Sequence, residues 1–132
     1  MLKTFTGIAL LSLTVHAAGA AIPIRTPIGS FPIEPSKAVT RVEMTRVDFL
    51  PGEQMPEHMH PVPVVCVVAN GTFLVSIGAA PVRTITVGDT TIEGAGEVVH
   101  YFRNMSAKER AQLYCVILAG PDDKLLTIML SK

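Results

Sequence analysis

The chain carries no excess of either charge. Its 11 Lys and Arg residues balance 11 Asp and Glu over 132 residues. That excludes the basic stripe that recruits nucleic acid and the polybasic segment that holds an anionic membrane. Helical patterning is nearly missing: the stretch from Ser106 to Arg110 is too short for more than a turn. Cysteine is scarce, with only Cys66 and Cys115. In an oxidising compartment the pair allows a disulfide; otherwise both pack as small buried hydrophobes, and the sequence leaves the two readings open. No apolar run approaches the ~20 residues needed to span a bilayer. What the chain does have is 10 Gly and 10 Pro, set between short apolar segments, which suits strands and turns rather than helices.

Three regions follow from the order of the text. Residues 1–20 have the parts of a secretory signal peptide: Lys3 at the charged start, an apolar centre from Ile8 to Val15, and Ala18-Gly19-Ala20 as the small-residue cleavage pattern. Export to the periplasm or extracellular space is therefore expected, and with no cysteine after the apolar centre a lipid anchor is not. Residues 21–40 carry Pro23, Pro27, Pro32 and Pro35 and read as an extended arm, with an edge strand around Ile22 to Ile28. Such an arm can lie along its own domain or exchange with a second copy, which allows a homodimer. Residues 41–132 form the remaining domain.

Within that domain the apolar pattern has a period of two. Val42, Met44, Val47 and Phe49 lead to a Pro51-Gly52 turn, and Val64 to Ala69 form an unbroken apolar run. Asn70-Gly71 then signals a hairpin whose return arm is Phe73 to Ile77. Arg83 to Val87, Val98 to Phe102, Gln112 to Leu118 and Leu125 to Leu130 complete the set, with Gly88-Asp89 and Gly120 to Asp123 as turns. About eight short antiparallel strands between Gly, Pro and Asn predict an all-β sandwich or jelly-roll barrel. Met44, Phe49, Phe73, Ile77 and Phe102 are the expected walls of an apolar pocket.

His58 and His60 are the residues with chemistry. Flanked by Pro56 and Pro61, they lie on an extended segment. At i and i+2 their imidazoles then point to one face, which makes half of a metal site. By the same alternation Met55, Glu57 and Met59 face the other way, and Gln54 shares the histidines' side, either as an inward extra ligand or partner to the ligands or, the favoured reading, as an exposed residue near a turn. His100 follows a further glycine-bounded strand pattern, and Asn104 comes four residues later.

These residues resemble the cupin family. Its first motif runs glycine, His-x-His, glutamate, glycine, and Gly52, His58, His60 and Gly71 fall in place; the glutamate position holds Val64, or Val65 in the alternative spacing. Gly88, His100 and Asn104 answer to the second motif, with one extra residue between Gly88 and His100 and the sequence Gly94-Ala95-Gly96 where a proline stands in the family. The resemblance implies a cupin-type jelly-roll β-barrel with a divalent transition metal (Fe, Mn, Ni, Cu or Zn) held by His58, His60 and His100. It also implies a small-molecule ligand or substrate and dioxygenase or isomerase chemistry. No catalytic residue is assigned, because no inward acid or base is evident. Whether the chain turns over a substrate is left open. A non-catalytic metal- or small-molecule-binding module and a structural barrel that has lost its metal are the competing expectations. Asn70-Gly71-Thr72 and Asn104-Met105-Ser106 match the N-glycosylation pattern, but the turn and the motif account for them.

Overall fold

The structure, a computed structural model, describes residues 23–130; the signal-peptide expectation over residues 1–20 lies outside them. Among the described residues nine strands follow one another: β1 (Arg41–Phe49), β2 (His58–Met59), β3 (Val64–Asn70), β4 (Thr72–Ile77), β5 (Arg83–Thr86), β6 (Thr90–Glu93), β7 (Val98–Asn104), β8 (Ala111–Ala119) and β9 (Ile128–Met129). They build two antiparallel sheets, one in the order β1-β8-β3-β6 and the other β5-β4-β7-β2-β9. The all-β jelly-roll expectation holds. The arm over residues 23–40 forms no strand and leaves Ile24 and Ile28 exposed, so the edge strand expected there is absent over its described part.

The inner faces of the two sheets make one core. β3 turns Val64, Cys66 and Val68 inward, and β8 does the same with Ala111, Leu113, Cys115 and Ile117. Phe49, Phe73 and Phe102 meet there with ring centroids 5.1–5.9 Å apart, in the offset and edge-on contacts that aromatic quadrupoles favour. Asn104 is fully buried beside them. Its amide donates to the carbonyls of Leu50 and Glu109 and its Oδ1 accepts from the Ser106 amide, which makes it a loop-holding residue rather than a site residue.

Two local expectations change. Asn70-Gly71 does not close a hairpin: β3 and β4 belong to different sheets, so this turn carries the chain from one layer to the other. Gly71 sits at φ +85°, and a Cβ there would stand 2.6 Å from that of Ala111. Met44 was expected in the pocket wall, yet it is exposed on the outer face of β1. That strand's inward residues are Thr45, Val47 and Phe49, and the apolar residues Val42 and Met44 lie on the opposite parity.

Candidate metal centre

β2 is short because prolines bracket it, and it is pinned on both sides: His58 stands opposite Val99 of β7 and Met129 of β9. Extended backbone carries both histidines inward, His58 4% and His60 7% exposed. The i, i+2 reading is therefore correct for this pair.

Backbone carbonyls fix both rings. His58 Nδ1 lies 2.9 Å from the Pro56 carbonyl and His60 Nδ1 lies 2.6 Å from that of Leu126. A carbonyl only accepts, so each Nδ1 carries the proton and each Nε2 lone pair is left for the interior, the usual arrangement of metal-ligating histidine. The third group is Glu93, on β6 and also buried. Its Oε2 is 2.9 Å from His60 Nε2 and 4.0 Å from His58 Nε2.

Two lone pairs at 2.9 Å need a cation between them. Without metal a proton serves. Burial is the strongest single influence on His60 and lowers its pKa, but the hydrogen bonds its ring donates to Glu93 and to the Leu126 carbonyl, with the charge of Glu93, outweigh it and leave the pKa raised. A raised folded-state pKa contributes stability that is full below the unfolded value of 6.5 and is lost as pH rises through the folded one. The melting temperature of the metal-free protein should thus fall as pH rises above 6.5, and the fall should shrink in His60→Gln. A flat profile, or one unaltered by the substitution, would contradict this.

A divalent metal fits the same place. Ligand atoms of His58, His60 and Glu93 all lie within 4.8 Å of one another. Donors about 2.1 Å from a shared ion stand about 3.0 Å apart at a right angle and about 4.2 Å apart when opposed, and the separations of 2.9 and 4.0 Å approximate these limits. Two imidazoles and one carboxylate match in kind the donor set of non-haem divalent-metal sites.

His100 is not part of this group. Opposite β4, Ser76 faces Tyr101 and the next residue, Ile77, faces Val99, so His100 is the extra residue of a β-bulge. Val99 takes the inward slot opposite His58, while His100 turns to the outer surface and bonds Glu57. The extra residue before His100 in the second motif is thus a physical one. Glu93 compensates through the sheet: its cross-strand partner is Val64, the position where the family has its glutamate. The carboxylate of this cluster thus stands on β6, the strand adjacent to β3. Gln54 is exposed, as read. Met55 is a correction, because the irregular backbone before β2 turns it into the cavity beside the histidines. Cys66 and Cys115 stand directly opposite on β3 and β8 and form a disulfide in the cavity wall.

The sequence pattern of the family described as "Cupin domain" matches residues 45–117. No curated protein sequence matches the chain. Among solved structures, an oxalate oxidase in complex with the substrate analogue glycolate superposes with a TM-score of 0.57 at 24% identity, covering 67% of this chain and 46% of that one. An uncharacterized double-stranded β-helix protein from Klebsiella pneumoniae gives 0.57 at 21% identity, over 75% of this chain and 86% of that one. The DMSP lyase DddQ from Ruegeria pomeroyi gives 0.57 at 15%, over 67% and 43%. The chain thus spans less than half the length of the two enzymes, and at these identities the likeness is one of fold.

Proposed function

The chain belongs to the cupin family, and from that premise we propose that it is an exported metalloprotein that binds a divalent transition metal through His58, His60 and Glu93 and acts on a small molecule in the adjoining cavity. The observation that carries this reading is the convergence of two buried Nε2 lone pairs on one buried carboxylate, with both Nδ1 atoms committed to backbone carbonyls. When bound, the metal supplies a Lewis acid with open positions for a substrate oxygen or O₂. The chain's own part is to orient that substrate and exclude water. Cavity walls of Phe49, Phe102 and Leu113 exclude water, which strengthens every electrostatic interaction inside. The oxalate oxidase and DMSP lyase folds are consistent with small-molecule chemistry of this kind.

A second reading rests on one observation. Apart from His58, His60 and Glu93, the residues lining the cavity offer only threonine hydroxyls and apolar or disulfide atoms. With no separate acid or base to move a proton, a metal- or ligand-binding module without turnover is the competing function. Export is supported by the pattern of residues 1–20 and by the Cys66–Cys115 disulfide, which persists in oxidising compartments.

Elemental analysis of the purified protein tests the metal. We expect one divalent transition ion per chain, removable by chelator and restored by titration with Mn²⁺, Fe²⁺ or Zn²⁺, and lost in His58→Ala. Protein that stays metal-free in every titration would overturn the proposal.

A further inference from the structure

The strand register lays out the cavity as a slot with one polar end. Glu93 and Val64 pair at the metal end, the Cys66–Cys115 disulfide follows two residues along, and Leu113 and Val68 pair two residues further. Ile117 and Leu113 both line it, and four residues of strand are about 13 Å. Past the histidines the walls are Val47, Phe49, Phe102 and Leu113, while Thr45, Thr127 and Met129 are exposed at the rim. The volume is about 220 Å³, room for about seven waters at ~30 Å³ each and below the ~300 Å³ at which drug-sized ligand sites begin.

Charge sets the second limit. Among the described residues Glu93 is the only carboxylate lining the slot, and no Lys or Arg lines it. A divalent ion on His58, His60 and Glu93 leaves a single net positive charge, enough for one anionic group. A second carboxylate on the same ligand would point into Phe, Leu and Val with nothing to pair it, and an unpaired buried charge is strongly disfavoured.

We infer that the ligand of this centre is a small monoanion with an apolar body, a short-chain or aromatic monocarboxylate that meets the metal end through its carboxylate and fills the Phe49–Phe102 end with hydrocarbon. Small dicarboxylates are excluded. The inference rests on the metal reading above and adds the ligand class to it.

The test uses full-length mature protein reconstituted with Co²⁺, whose visible spectrum reports coordination independently of any activity. Isothermal titration then compares benzoate, succinate of similar size, and neutral benzyl alcohol. Benzoate is expected to bind at least about tenfold more tightly than either and to change the cobalt spectrum, since only it matches both the single charge and the apolar wall. Val47→Arg, which sets a cation into the half-buried wall, should narrow or reverse the preference over succinate. If Co²⁺ does not bind, the metal reading falls and this inference with it. If Co²⁺ binds but succinate equals or exceeds benzoate, the ligand class alone is overturned. Should Val47→Arg fail to fold, the wild-type comparison still decides.

Discussion

Replacing Glu93 with alanine is expected to weaken divalent-metal binding by more than about 100-fold, while His100→Ala leaves it unchanged. Substituting residues that merely orient a ligand costs about 10–100-fold, and Glu93 supplies a ligand atom itself. Among the described residues it is also the only charge in the site that would balance a bound ion. His100 contributes nothing inside: it is paired with Glu57 on the outer face of β7. Calorimetric titration of the metal-free proteins measures both, with Glu93→Gln as the variant that keeps the volume. Comparable losses in Glu93→Ala and His100→Ala, or an unchanged affinity in the former, would remove Glu93 from the centre.

Opening the Cys66–Cys115 disulfide is the second large effect. The bridge closes a loop of sequence separation 49, for which chain entropy alone gives about 4 kcal/mol. Cys66→Ala/Cys115→Ala should therefore lower unfolding free energy in urea by roughly 2–4 kcal/mol and reduce metal affinity only modestly, because His58 and Glu93 lie on β2 and β6 and His60 directly follows β2. Protein taken from its native compartment should show no free thiol and a mass lacking residues 1–20. Two titratable thiols in that protein, or a double variant as stable as wild type, would contradict the bridge.

How much of this could be read beforehand depends on the range of each interaction. Strand alternation is local, so the inward pair His58 and His60 was legible, as was the β-rich layout from turns at Pro51-Gly52 and Gly88-Asp89. The layer in which each strand ends up is not local: Asn70-Gly71 has the residues of a hairpin turn, yet β3 finds its partners in β6 and β8. Glu93 was illegible for the same reason, since only the register between β3 and β6 places it opposite Val64. On β1, apolar residues at Val42 and Met44 matched those at Val47 and Phe49 in kind but not in parity, and kind alone misled. His100 failed by one residue, because a bulge breaks the counting on which every alternation argument depends.

That bulge makes the side of β7 on which His100 lies a matter of chain length rather than residue identity. Val99 stands opposite His58 and Ile77, and Tyr101 stands opposite Ser76. Shorten the strand by Val99 alone and His100 falls opposite Ile77 and His58, facing the interior, with Tyr101 keeping its partner and the bulge gone. A third imidazole would then join the two histidines and Glu93 without a single substitution. One residue lost or gained in β7 would therefore decide whether the histidine at this place faces the interior or the outer surface.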